Sequence, residues 1–128
     1  MTEEGNLDVA KYVLKWRVVD RELFKRLPST AFPVCVHNSS TDSIQYYANK
    51  FTGPRTYNFR NNLNHCKLIL DTMIGAGFDP TISRINIGGL DDWQCSLARG
   101  DNVVPCNHKH LEQAIISSCV RAQRSYFG

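Results

Sequence analysis

Hydrophobic positions along this chain fall into helical repeats separated by one alternating stretch. Over residues 7–27 the apolar residues Leu7, Ala10, Val13, Leu14, Leu23, Phe24 and Leu27 recur at helical spacing, which predicts one or two helices closed by Pro28. Trp16, Val18 and Val19 interrupt that period and read as extended backbone. Phe59, Leu63, Cys66, Leu70, Met73 and Gly77 step by three or four, the seam of an amphipathic helix with Asn58 placed to cap its start and Gly75 or Gly77 its end. TISRINIGG then alternates imperfectly, GGLDD supplies a turn and WQCSLA alternates again, the pattern of a β-hairpin. Leu111, Ala114, Ile115, Ser118, Cys119 and Ala122 mark a second amphipathic helix closing near Arg124.

Between these elements, residues 28–58 carry Pro28, Pro33, Gly53, Pro54 and the polar run HNSSTD. This segment reads as mostly loop, with room for one short strand at residues 32–36. A loop that long in a small domain is often functional. The order of elements predicts an α+β fold, a small antiparallel sheet with a β-hairpin packed against amphipathic helices. It divides a single domain, 1–128, into an N-terminal helical segment (1–27), the long loop region (28–58) and a helix-hairpin-helix core (59–128).

Composition changes this picture little. A chain of 128 residues, 42% hydrophobic and 21% charged, matches one globular domain with its own core. No run approaches the roughly 18 to 20 apolar residues of a membrane span, and the opening MTEEGNLD is acidic where a secretory signal is basic. A soluble intracellular protein with no membrane partner is expected. Five cysteines, at 35, 66, 95, 106 and 119, lack the dense pairing of a secreted scaffold and are expected to be reduced and mostly buried. The net charge of +3, from 15 basic and 12 acidic residues without a like-charge run, disfavours duplex nucleic acid, which calls for a concentrated basic stripe. It leaves room for a small phosphate-bearing ligand held by a few arginines.

The last seventy positions carry LILDTMIGAGF, a helix ending in glycine, then DDWQCSL, a hairpin with a tryptophan and a cysteine, then HLEQAIISSCVRA, a final alanine-bearing helix. This progression resembles the phage ABA-sandwich domain of small bacteriophage accessory proteins, and the N-terminal LDVAKYVLKWRVV is similar to the opening helix of that group. The resemblance implies a phage product that acts in the host bacterial cytoplasm and counters host defence. The 28–58 segment and PCNHKH depart from the family pattern.

GPRTYNFRNN, residues 53–62, holds the principal candidate site. With Asn58 as cap, unsatisfied amides and the helix dipole would meet Arg55 and Arg60 at one helix end, where an anion is favoured. Tyr57 adds a flat face for a base or ribose. The same residues also fit a routine cap with solvated arginines. Trp93 fits either core packing or the wall of a ligand cleft, and Arg84 and Arg99 on the two hairpin strands are candidates for that same cleft or for protection of the sheet from edge pairing. Cys35 with His37, and Cys106 with His108 and His110, form CxH spacings outside the usual zinc knuckles, so structural cysteines and surface histidines are expected there and no metal or cofactor. His65 and Cys66 are adjacent, point about 100° apart on a helix and cannot act on each other. No catalytic motif is present, and no enzyme is expected.

Two functions follow. The first is sequestration, without chemistry, of a host nucleotide-derived immune signal of the cyclic ADP-ribose or cyclic oligonucleotide type, by a homo-oligomer using Arg55, Tyr57, Asn58, Arg60, Trp93, Arg84 and Arg99. The second is inhibition of a host defence protein through an aromatic and basic surface around residues 37–58. Convergence of Arg55, Arg60 and Trp93 in a concave site favours the first. A flat exposed patch of Tyr46, Tyr47 and Phe51 favours the second.

Overall fold

The computed structural model describes residues 4–127; residues 1–3 of the acidic opening, and residue 128, lie outside them. The helices are α1 (Asn6–Asp8), which runs into a π-turn over Val9–Val13, then α2 (Arg21–Arg26), α3 (Leu63–Gly75) and α4 (Leu111–Phe127). The strands are β1 (Val34–Asn38), β2 (Ser43–Tyr47), β3 (Arg55–Tyr57), β4 (Asp79–Ile87), β5 (Leu90–Arg99) and β6 (Asn102–His108). They form two three-stranded sheets, ordered β1-β2-β3 and β4-β5-β6, with every pairing antiparallel. The fold is α+β.

The first sheet occupies the segment expected to be mostly loop with one short strand. Its register runs from Val34 opposite Tyr47 to Asn38 opposite Ser43. Cys35 and Ile44 face the main core, while Val34 and Val36 face a second cluster with Val19 and Leu27, backed by Phe24 and Phe32. β1 overlaps the short strand expected at residues 32–36, but a strand with apolar neighbours on both faces loses the polar and apolar alternation that announces a strand, which is why its partner β2 hides in the sequence. The Trp16 to Val19 stretch is extended as its broken period predicts, and Val18 forms a parallel bridge with Cys35.

The second sheet is a three-stranded meander and not a lone hairpin. Gly88 and Gly89 alone make the first turn, with φ of 60° and 84°. Both residues of such a two-residue turn need positive φ, so the following LDD belongs to β5. Gly100, at φ 60°, opens an equally short turn into β6. Pro105 stands on β6, an outer strand, where a missing N–H is tolerated.

Helix α3 begins at Leu63 and not at Phe59. Asn62 is its N-cap, accepting a hydrogen bond from the Asn64 amide at 3.0 Å. Phe59 lies in the preceding turn and is 0% exposed, so its place in the hydrophobic repeat reflects core packing, not helix.

Helix α4 is the central element. It packs on β5, β6, α3 and the Val9–Val13 turn, and every residue from Gln113 to Val120 is buried. The sequence suggested an amphipathic helix; Arg121, Arg124 and Ser125 do keep a solvent face, but the 113–120 stretch is enclosed around its circumference, so its polar residues must find partners inside the protein. Ser118 Oγ donates to the Val104 carbonyl at 2.7 Å, and Gln113 holds three partners, Arg60, Ser117 and the Glu4 carbonyl. Gln123 Oε1 has no partner among the described residues. These two glutamines should therefore respond oppositely to Met: Gln123→Met should be neutral or stabilising by up to about 1 kcal/mol, whereas Gln113→Met should cost about 2 kcal/mol. Chemical denaturation of the two variants beside the parent checks this contrast.

Candidate functional site

Three segments meet at the start of α4, and one buried amide joins two of them to the N-terminal helix. Asn6, 0% exposed, donates from Nδ2 to the Asp42 carbonyl and to Asn58 Oδ1, the latter at 3.0 Å, and accepts from the Arg60 amide at 3.1 Å. This places the β1–β2 turn beside the turn that precedes α3. Asp42 takes a positive φ of 48° in its turn, a conformation an Asp tolerates better than most residues. Its carboxylate lies 2.9 Å from His37 Nε2 and 3.4 Å from the Arg60 guanidinium.

From Arg60 a hydrogen-bonded chain runs along α4. Arg60 Nε donates to Gln113 Oε1 at 3.1 Å, Gln113 Nε2 donates to Ser117 Oγ at 3.0 Å, and Ser117 donates to Glu4 Oε2 at 2.9 Å. Arg121 Nε reaches the other Glu4 oxygen at 2.9 Å, and Arg121 also contacts Cys106 Sγ at 3.3 Å. Burial works to raise the Glu4 carboxyl, but hydrogen bonds from Arg121, its own backbone and Ser117, with the Arg121 charge, bring it net below its ordinary 4.5.

Beside this chain opens a cleft of about 490 Å³. Asp42 and Arg60 form one wall; His108, His110, Glu112 and Gln113 form the other. The His110 amide donates to His108 Nδ1 at 3.0 Å, which in a neutral ring assigns the proton to Nε2. The two imidazoles lie 5.5 Å apart and are tilted by 34°. The cleft thus sets one guanidinium and two imidazoles against two carboxylates.

No family model matches the chain, and no curated protein or solved structure does. The geometry alone sorts the residues singled out in the sequence. Arg60 lines the cleft. Asn58 is not a helix cap; it is tied to Asn6 and gives its amide to His65 Nδ1 at 2.9 Å. Arg55 and Tyr57, on β3, line a separate groove of about 380 Å³ against α3, so the two arginines do not flank one helix end. Trp93 packs half-buried on the main core with the Arg84 guanidinium 4.9 Å over its ring, and Arg84 also pairs with Asp91 at 3.6 Å. Trp93 is the cross-strand partner of His108, which brings it next to the cleft without lining it. Arg99 stacks 5.6 Å over Phe78. It shares a sheet face with Arg84, but its place six residues beyond Trp93 on β5 puts the two arginines about 20 Å apart, with Cys95 and Leu97 buried between. They share no cleft.

The flat aromatic patch does not form either. Tyr46 and Tyr47 point to opposite faces of β2; Tyr46 lies 4.6 Å from Trp16, and Tyr47 lies 4.4 Å from Phe24. All five cysteines are buried and free, and burial pushes the Cys66 thiol up to about 12 and those of Cys35 and Cys95 to about 11. Among the described residues no group of three or more His, Cys, Asp or Glu is arranged to hold a metal ion.

Asp42, Glu112, Gln113, Asn6 and Glu4 escaped the sequence reading. Only Gln113 carried a signal, as a polar residue at the start of an otherwise apolar run. The Glu4 network makes a pH prediction. Because the folded carboxyl value is depressed, its contribution to stability is complete above the unfolded value and is lost as pH falls through the folded one. Arg121→Met should move acid unfolding to higher pH, and Glu4→Gln should flatten the dependence below about pH 5. Thermal melts followed by circular dichroism across that range test both.

Proposed function

We propose that this chain binds a nucleotide-like ligand in the cleft at the start of α4 and holds it without altering it. One observation carries the proposal: Arg60 and Asp42 on one wall and His108, His110 and Glu112 on the other bring both charge signs to a single cleft of about 490 Å³, a volume within the usual range for small-molecule sites. A guanidinium and imidazoles suit phosphate oxygens, carboxylates accept hydrogen bonds from ribose hydroxyls or base amino groups, and imidazole faces offer stacking for a base. A cleft of one charge sign would suit a bare anion. Both signs together suit a ligand that carries phosphate and hydroxyl groups at once.

The resemblance to phage ABA-sandwich proteins supplies the biological setting of the proposal, a bacteriophage anti-defence protein that sequesters a host immune signal of the cyclic ADP-ribose or cyclic oligonucleotide type in the bacterial cytoplasm. A homo-oligomer fits that role, since an open cleft is closed more completely by a second copy. Sequestration rather than chemistry is in keeping with a cleft that no cysteine lines, the thiols being buried and raised by that burial.

The test incubates purified protein with a panel of cyclic nucleotides and cyclic ADP-ribose, removes free ligand, heat-denatures the protein and identifies what is released. Intact ligand is the expected result; altered ligand would make the protein an enzyme, and no retained ligand would overturn the cleft reading. Arg60→Glu should abolish retention. Because Arg60 also anchors Asp42 and Gln113, the exposed His110→Ala is the cleaner variant and should weaken retention about tenfold, roughly the 1.4 kcal/mol of one modest polar contact.

A further inference from the structure

The second groove has a different character. It is lined by Arg55, Thr56 and Tyr57 on one side and by α3 residues including His65, Lys67 and Leu68 on the other. Successive strand residues point to opposite faces of a sheet. Since all three consecutive residues of β3 line it, the groove runs along the edge of the strand and not across a face. That edge is open: β3 is the outer strand of its sheet, and among the described residues no further backbone hydrogen bond reaches it from outside. Alternate N–H and C=O groups of β3 therefore point into the groove unpaired.

Charge and an aromatic anchor distinguish this edge from an ordinary exposed strand. From residue 43 to residue 70 the chain holds Lys50, Arg55, Arg60 and Lys67 and no carboxylate. Asp71 is the single acid on the groove. In the loop that leads into β3, Phe51 is 86% exposed. It is held out by a tied turn, since Asn49 Oδ1 accepts from the Phe51 amide at 2.8 Å, the Thr52 amide at 2.9 Å and Thr52 Oγ1 at 3.2 Å. An ordered turn that presents a bare phenyl ring beside a lysine loses little freedom on docking, which suits an interface anchor.

We propose that β3, its groove and Phe51 form a docking surface for an acidic, extended segment of a protein partner, which adds as a fourth strand to the first sheet. Backbone pairing with β3 sets the direction of the segment, Arg55 and Lys67 take its carboxylates, and Phe51 enters an apolar recess on the partner. A three-residue edge supplies few backbone bonds, so charge and the phenyl ring carry most of the affinity, and binding weakens with salt. A nucleic acid would call for a longer cationic track than these residues provide.

The experiment titrates the whole protein with a fluorescein-labelled peptide of alternating glutamate and valine, the same peptide with N-methylated backbone amides, a short oligothymidylate, and phosphatidylserine vesicles. The proposal expects binding of the first peptide, loss of at least tenfold on N-methylation, and a similar loss in Arg55→Glu and in Lys67→Glu. Both side chains are exposed, so these variants should fold, and neither lines the cleft, so ligand retention there should persist. Equal binding of the methylated peptide would overturn strand addition. Tighter binding of the oligonucleotide or the vesicles would replace the protein partner with one of those, and binding of none of the four would overturn the surface as a whole.

Discussion

Enclosing residues 113–120 of α4 on all sides is the constraint from which the rest of the molecule follows. A helix that touches both a sheet and two other helical segments gains apolar burial around the circumference of its middle turns, through Ile115, Ile116, Cys119 and Val120 among others. It also takes Gln113, Ser117 and Ser118 into an interior where an unpaired polar atom costs about 1 to 3 kcal/mol. Each of these side chains is met by a partner from elsewhere in the sequence: Val104 for Ser118, Glu4 for Ser117, and Arg60 together with Glu4 for Gln113. The polar seam along α4 is thus a requirement of burying the helix, and the proposed cleft lies where that seam reaches the surface.

The two sheets are coupled through the same seam. Asn6 binds the β1–β2 turn and the turn before α3, and Arg60 passes that connection to Gln113 on α4, which rests on the second sheet. The aromatic residues reinforce the join from the other side, where Tyr57 stacks on Phe59 at 5.6 Å and meets the edge of His65 at 5.3 Å. Position 58, expected to cap a helix, serves instead as a knot in this network. The signal that marks a cap, an asparagine before an apolar period, is the same signal an asparagine gives when it ties a turn.

Legibility from the sequence followed burial on one side. Helix α3 and the β4–β5 pair show their period because each has a solvent face, and both were read correctly apart from their boundaries. Strand β1 was anticipated only as a short strand at residues 32–36, and β2, which also has apolar neighbours on both faces, was read as loop. Strand β6 was missed although Gly100-Asp101 sits between two apolar runs, the composition of a two-residue hairpin turn. The site was less legible than the fold. Arg60 and its two histidine neighbours come from segments about fifty residues apart, and what brings them together is a set of amide and carboxylate contacts that leave no periodic trace.

On the proposed reading, Arg60 is committed to the fold and also meets the ligand. Its Nε is spent on Gln113, and one terminal nitrogen lies 3.4 Å from Asp42, a long contact between groups that are each about 40% exposed. A contact of that length and exposure is worth little. An arriving phosphate that displaces it would leave Asp42 still beside His37 at 2.9 Å, so the carboxylate would not be stranded without a partner. On the proposed reading, the guanidinium is held in direction by its Nε bond while its outer edge is exchanged between an internal and an external anion. On that reading the guanidinium would pass from an internal to an external anion without being left unpaired before the ligand arrives.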